Sequence, residues 1–191
     1  MKVAIWTMII GIGLPASSVA QVCVEVVKPP TKLEAFMATD GAVVIRGSSR
    51  VGAVRGEPGA LVAVASKEFT NVRTGERAHG ITVEVRKAKG REPGGITYVD
   101  FDEMASFLSG LEYLVKVDKS STSLDQVEAG YRTKGGLIVA MYNTSAGLKA
   151  AVSSGIGGTA TAELEYGNFV RFRELLQSAY ARLRSMRSGE E

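Results

Sequence analysis

One pattern occurs twice along this chain: several short segments rich in β-branched residues, then a longer stretch with the periodicity of an α-helix. The alternation is cleanest where Ile81, Val83 and Val85 share one side of a run whose other side is polar. A sheet built from such segments has one apolar face, and the helix that follows can cover it. The pattern therefore predicts an α+β fold.

The predicted strands are bounded by turn residues such as Asp40-Gly41, Thr74-Gly75 and Gly135-Gly136. Gly155-Ile156-Gly157-Gly158 lacks the spacing of a nucleotide-binding loop and is interpreted as a hairpin turn that needs positive φ angles. Four strands are predicted in each half of the chain: 42–46, 61–65, 81–87 and 96–99, then 127–133, 137–142, 149–153 and 159–164.

Each set of strands is followed by a predicted helix. The first helix runs from Phe101 to Leu114, with Asp100 placed as its N-cap and Glu103 as the second member of a capping box. The second helix is predicted to begin after the cap residue Asn168. Its apolar stripe repeats at steps of three and four through Phe169, Phe172, Leu176, Ala179 and Leu183.

The domain organisation follows from these elements. Two similar halves, about 32–117 and 125–187, are expected to form one α+β domain over 32–187, an antiparallel sheet packed against two helices. We interpret the halves as an internal repeat, since Gly94-Gly95 and Gly157-Gly158 hold corresponding positions before the last strand of each. Residues 21–31, which include Pro29-Pro30, are predicted to form an N-terminal tail and linker.

The first twenty residues have the pattern of an export signal. Met1-Lys2 supplies a positive start, Val3 to Leu14 form an uncharged and mostly apolar run, and Ala16 to Ala20 offer small residues for cleavage after Ala20. This run is shorter than the roughly 20 residues that a membrane-spanning helix needs. We therefore expect a cleaved signal peptide and a periplasmic or extracellular protein with no stable membrane span.

The single cysteine and the net charge add little about partners. Cys23 lies just past the predicted cleavage site and can be a free thiol, a lipid attachment point or a link to another chain. Gln21-Val22 stand where lipid attachment requires small residues, which disfavours that option. Without Lys2, 22 basic side chains face 20 acidic ones, and this net charge of +2 does not by itself indicate an anionic partner.

The chain carries few of the patterns that support catalysis. His79 is the only histidine, and its neighbour Gly80 favours a solvated turn residue over a general base. One histidine and one cysteine cannot form a zinc cluster, and no P-loop, dinucleotide-binding glycine pattern or serine nucleophile motif occurs. The sequence thus assigns no catalytic residue, metal or cofactor, and it favours a non-enzymatic protein.

Acidic residues at the start of the first predicted helix are the candidates for carboxylate chemistry. Asp100, Asp102 and Glu103 lie together there, where the helix dipole stabilises negative charge. We interpret this cluster as structural and keep a hydrolase that uses carboxylates alone as an alternative. Asn143-Thr144-Ser145 also matches a glycosylation sequon, to which we give little weight.

Aromatic and basic residues on predicted strands suggest a binding surface. In the second half these are Tyr131, Arg132, Lys134 and Tyr142, and in the first half they are Arg86, Lys87, Lys89 and Arg91. Such mixtures suit non-specific binding of single-stranded nucleic acid. The repeated order of strands and helix resembles the Whirly and PUR-type folds. This resemblance implies binding of single-stranded nucleic acid. The predicted export argues against nucleic acid as the partner.

Two segments of the second half, Tyr131 to Gly136 and Ala151 to Gly155, resemble uncharacterised exported bacterial proteins of similar length. That resemblance implies no particular activity. The leading hypothesis is an exported, non-enzymatic binding or structural module with a protein partner or a small ligand. Single-stranded nucleic-acid binding and carboxylate-dependent hydrolysis are the alternatives.

Overall fold

The computed structural model describes residues 30–57, 59–87, 94–145, 147–155 and 160–188. Two four-stranded antiparallel sheets and three helices confirm the predicted α+β class. The strands are divided between two sheets, because each set of four pairs only with its neighbours in sequence. The predicted signal peptide, Cys23, Lys89, Arg91 and the pair Gly157-Gly158 lie outside the described residues.

Sheet A is formed by the first half of the chain. Its strands, in spatial as well as sequence order, are β1 (Val44–Gly56), β2 (Ala60–Asn71), β3 (Arg77–Arg86) and β4 (Gly95–Asp100). All four predicted strands are confirmed, although β1 and β2 have 13 and 12 residues and extend well beyond the apolar runs that indicated them. The β1–β2 register shifts between Arg50 and Gly52, which places a bulge at Val51.

Sheet B is formed by the second half. Its strands follow in the same order: β5 (Glu128–Arg132), β6 (Ile138–Thr144), β7 (Gly147–Ser154) and β8 (Ala160–Glu165). These confirm the other four predicted strands. Glu57, just beyond β1, forms an isolated antiparallel bridge to Glu163 of β8, and its backbone N–H donates to the Glu163 carbonyl at 2.7 Å. The two sheets are therefore joined along one side by backbone hydrogen bonds.

Both predicted helices are present, with one change at a cap. The first consists of a 3₁₀ turn, Phe101–Glu103, that continues into α2 (Met104–Leu114). The second, α3, spans Tyr166–Ser188. The prediction that Asn168 caps this helix is wrong, because α3 begins directly after β8 and Asn168 lies inside its first turn.

A short helix that the sequence pattern did not predict precedes sheet A. This helix, α1 (Lys32–Met37), is capped by Thr31, whose hydroxyl and backbone N–H form a capping box with Glu34. Asp100 also accepts hydrogen bonds from the backbone N–H groups of Lys32, at 2.7 Å, and of Leu33, at 3.3 Å. Asp100 makes no side-chain cap bond to its own helix, so the predicted Asp100–Glu103 capping box is wrong.

The inner faces of both sheets meet the two longer helices in one apolar core. Helix α3 packs against β1, β2 and β3 and also touches β7 and β8, while α2 packs against β5, β6 and α3. The largest fully buried side chains of this core come from both halves of the chain: Ile81, Met104, Phe107, Leu111, Leu137, Met141, Leu164, Phe169, Phe172, Leu176 and Leu183. Functional groups are therefore left to the outer faces and to the ends of the sheets.

Sheets A and B also approach each other closely at the start of β4 and the end of β7. A Cβ atom at Gly95 would overlap the carbonyl group of Ser154. The Ser154 hydroxyl is fully buried, donates to the Val83 carbonyl at 2.9 Å and lies 2.8 Å from the Thr97 hydroxyl. Thr97 in turn accepts from the Gly155 backbone N–H at 3.0 Å. Close backbone approach and buried hydroxyl groups thus set the position of the sheets.

We expect Gly95→Ala to lower the free energy of unfolding by about 1–3 kcal/mol, because the added methyl meets backbone that cannot move aside cheaply. Gly167→Ala is the matched control, since a Cβ there meets nothing within 4 Å and alanine favours the helical first turn of α3. Urea denaturation monitored by circular dichroism measures both. Equal stabilities for the two variants would contradict this account of the sheet contact.

Candidate functional site

The outer face of sheet A carries most of the clustered positive charge of the sheets. The strand register places five basic side chains on it: Arg46, Arg50, Arg55, Lys67 and Arg86. We call this surface the basic face. The half-buried carboxylate of Glu84 lies on the same face and binds the Arg86 guanidinium, with two oxygen–nitrogen distances of 2.6 and 2.7 Å. Four basic groups therefore remain without an acidic neighbour in the register of this face.

A shallow groove of about 200 Å³ runs across the basic face. Small residues make its floor, since Ala63, Ala65 and Thr82 lie side by side on β2 and β3. Arg50 and Lys67 border it on one side, and the Lys67 ammonium donates to the Ser48 hydroxyl at 2.8 Å. On the other side are the half-buried ring of Tyr98 and the side chain of Ile96, which is 51% exposed. Glu84 also lines the groove, so the cations face a partly apolar wall and one carboxylate across a floor of small residues.

The outer face of sheet B has the opposite character. Lys149 lies between two carboxylates, 2.8 Å from Glu57 and 3.1 Å from Glu165, and these contacts raise the pKa of its ammonium group. Burial, together with the charge and hydrogen bond of Glu163, raises the pKa of the Tyr142 hydroxyl. Carboxylates therefore surround the basic group in this part of sheet B, and an anionic ligand would be repelled here.

The aromatic and basic surface predicted in the second half forms only in part. Tyr131 faces the core, where its ring centroid lies 5.4 Å from that of Phe107 and its hydroxyl donates to Ser106 at 3.3 Å. Arg132 points from the opposite side of β5, and Lys134 lies in the turn after that strand. Tyr142 faces Glu163. The structure therefore keeps Arg132 and Tyr142 on the outer face of sheet B and separates Tyr131 from them.

His79 is in a strand and buried, so the prediction of a solvated turn residue is wrong. It lies on β3 opposite Glu68 of β2, and its side chain is 6% exposed. Its Nε2 atom is 3.8 Å from a Glu68 carboxylate oxygen, which is too far for a hydrogen bond. Among the described residues this nitrogen has no hydrogen-bond partner.

The three clustered carboxylates each contact a different group. Asp100 binds the backbone of α1, and Asp102 pairs with the Lys32 ammonium at 3.0 Å. Burial favours the neutral form of Asp102, but the hydrogen bond and charge of Lys32 outweigh it and lower the pKa of Asp102. Glu103 is buried and accepts from the Lys134 backbone N–H at 2.8 Å. Each of the three carboxylates thus binds a neighbouring backbone or side-chain group.

Other candidate features of the sequence have local roles where they are described. The Asn143 side chain accepts from the Val127 backbone N–H at 2.9 Å. Gly155 has a φ of 93°, as expected for a turn between β7 and β8. Within the described ranges, no cluster of histidine, cysteine, aspartate and glutamate could hold a metal ion. In the same ranges, no helix combines the length and apolar character needed to cross a membrane.

Comparisons with known proteins give no family assignment. The chain matches no protein-family model, no curated protein and no solved structure. The function must therefore be argued from the surfaces themselves. The basic face was missed in the sequence because its cations come from three strands, and only Arg86 was singled out. The signal that could have found the others is the spacing of Arg46, Ser48 and Arg50 at alternate positions of one long strand.

Glu103 should make folding stability depend on pH. Burial raises the pKa of this carboxyl above its ordinary value of 4.5, so the folded state holds the proton more tightly than the unfolded chain. The stability that the protonated Glu103 carboxyl contributes to the folded state is therefore fully present below pH 4.5 and is lost as the pH rises through the raised pKa. We expect the stability difference between Glu103→Gln and wild type to grow in favour of the variant as the pH rises.

Urea denaturation between pH 4 and pH 7 measures this difference. Glutamine removes the charge and retains an acceptor for the Lys134 N–H, whereas Glu103→Ala leaves that partly buried donor without its partner. The alanine variant should be about 1–3 kcal/mol less stable than the glutamine variant at every pH. A constant difference between wild type and Glu103→Gln across this range would refute the assignment.

Proposed function

We propose that this protein is a non-enzymatic binding module that takes an extended anionic polymer on the basic face of sheet A. The observation that carries the proposal is the separation of charge between the two outer faces. Basic side chains cluster on sheet A, and carboxylates surround Lys149 on sheet B, although the whole chain has a net charge of only +3. Such a separation attracts and orients an anionic partner more than the net charge alone would.

The shape of the basic face suits an extended ligand. Arg46, Arg50 and Arg55 follow one strand, and at about 3.3 Å per residue the first two lie roughly 13 Å apart. Lys67 and Arg86 lie on the next two strands and widen the cationic surface. The groove between them is shallow and polar on one side, unlike the deep, mostly apolar cavities that enclose drug-sized molecules. A charged strand laid across the sheet fits this surface better.

Single-stranded nucleic acid is the second candidate, and the groove favours it specifically. Tyr98 and Ile96 lie across a floor of small residues from Arg50 and Lys67, so a base could contact the tyrosine ring while its phosphates meet the cations. This arrangement differs from the one that the sequence suggested, since it uses sheet A and not Tyr131 or Tyr142. The predicted export remains the argument against this partner.

Replacing Arg50 and Lys67 together by glutamine should weaken binding of polyphosphate by tenfold or more at low salt and reduce its salt dependence, because fewer counterions are released. Arg132→Gln, which removes a charge from the outer face of sheet B, is the matched control and should leave binding unchanged. Fluorescence anisotropy over a salt series measures both affinities. Equal effects of the two changes, or no binding by wild type at low salt, would rule out the basic face.

A 20-nucleotide oligo(dT) distinguishes the second candidate from the first. If bases contact the groove, Tyr98→Leu should weaken oligo(dT) binding by about 1–3 kcal/mol and leave polyphosphate binding unchanged. A variant that binds both polymers as wild type does would restrict the proposal to charge recognition. Melting curves of Tyr98→Leu control for loss of stability, since Tyr98 also packs edge to face on Phe69 with 6.3 Å between the ring centroids.

We propose in addition that the protein acts outside the cytoplasm, on the pattern of residues 1–20. Cell fractionation followed by N-terminal sequencing tests this. The expected result is a non-cytoplasmic protein that begins at Gln21. An intact Met1 in the cytoplasmic fraction would overturn the export proposal, and it would also remove the argument against nucleic acid.

A further inference from the structure

A second basic cavity lies where the last turn of α3 meets the start of β3. Its volume is about 220 Å³, and it shares no residue with the groove on the basic face. Its lining combines basic, aromatic and acidic side chains: Lys32, Arg77, His79, Phe101, Asp102 and Arg187. We infer that this cavity binds a small phosphate monoester, a ligand independent of the polymer proposed for the outer face.

The charge of the lining favours an anion. Among the described residues of the lining, Lys32, Arg77 and Arg187 supply three positive charges and Asp102 supplies one carboxylate. Asp102 is engaged by the Lys32 ammonium at 3.0 Å. Positive charge therefore exceeds negative charge among these described residues. The Arg187 guanidinium also offers paired N–H donors whose spacing matches the oxygens of a phosphate, while Arg77, which already makes another interaction, adds positive charge.

Arg187 is held in place before any ligand arrives. Its guanidinium carbon lies 4.4 Å from the centroid of the Phe101 ring, within the range of a cation–π contact. Phe101 is itself held by Tyr180 of α3, at 5.3 Å between ring centroids. A side chain that is already ordered loses less conformational entropy on binding, so the arginine is prepared to receive an anion.

His79 provides an independent indication of a ligand. Its side chain is 94% buried, it belongs to the cavity lining, and its Nε2 atom has no hydrogen-bond partner among the described residues. A buried polar nitrogen without a partner is costly and is usually satisfied by a water or a bound group. A water between the bound phosphate and His79 would satisfy this nitrogen, because the Glu68 carboxylate, 3.8 Å from Nε2, would repel a phosphate oxygen placed directly on it.

The volume indicates an ester larger than the phosphate ion. A water molecule takes about 30 Å³ in the liquid, so a 220 Å³ cavity corresponds to roughly seven waters. This space holds a phosphate group and a small organic substituent. The Phe101 ring provides an apolar surface for that substituent. The cavity is therefore suited to a phosphate monoester in preference to inorganic phosphate alone.

Isothermal titration calorimetry on the full chain tests the inference, with phenyl phosphate as the probe and inorganic phosphate and benzoate for comparison. We expect one phenyl phosphate per chain, bound more tightly than either comparison ligand. Arg187→Gln should weaken binding by about tenfold or more, since a charge-assisted hydrogen bond is lost. Arg184→Gln is the matched control: Arg184 is also on α3 and lies over the Tyr180 ring at 5.9 Å, but it is not part of the lining.

Three results would overturn the inference: no binding of phenyl phosphate at millimolar concentration, tighter binding of benzoate, or equal losses in the Arg187 and Arg184 variants. Arg77→Gln provides a second variant from β3 should the change on α3 alter folding. Polyphosphate binding by Arg187→Gln should equal that of wild type. The proposals for the cavity and for the basic face can therefore be contradicted independently.

Discussion

The contact between Gly95 and Ser154 determines how the rest of the molecule is arranged. Because residue 95 has no side chain, the backbones of β4 and β7 approach closely enough for Ser154 to reach both Val83 and Thr97. These bonds satisfy the fully buried hydroxyl group of Ser154. Losing one of them would lower the free energy of unfolding by about 1–3 kcal/mol. With the inner faces turned toward each other and toward the helices, binding chemistry is confined to the outer faces and the ends of the sheets.

Local patterns predicted most of the fold, and non-local contacts explain what they missed. The eight strands and two longer helices follow from alternation, helical periodicity and turn glycines, all of which act over a few residues. Helix α1 has a local start signal in Thr31 and Glu34, but its six residues are too short for a helical repeat, and it depends on Asp100, which is 67 residues from Leu33 in sequence. Likewise, Gly47-Ser48-Ser49 is polar and glycine-containing, yet it pairs with 66–68 of β2 and lengthens β1.

The candidate sites were harder to predict than the fold because they depend on register. Gly80 suggested a turn beside His79, but the structure uses this glycine for close approach: a Cβ there would overlap the Val99 carbonyl. The basic face and the cavity near Arg187 each combine residues from three or more elements, and no sequence spacing connects them. Conversely, Tyr131 and Tyr142 both fall on predicted strands of the second half, but they point to opposite sides of sheet B.

The arginines of β1 also affect how copies of this protein meet one another. β1 is the outermost strand of sheet A and pairs with β2 alone over its 13 residues. The backbone groups on its other side resemble the edge to which strands of separate molecules add during aggregation. Two such edges brought side by side would place Arg46, Arg50 and Arg55 of one copy against those of the other. Like-charge repulsion then keeps the molecules apart at low salt and weakens as ionic strength rises. The charges that we assign to ligand capture thus also protect the protein from self-association.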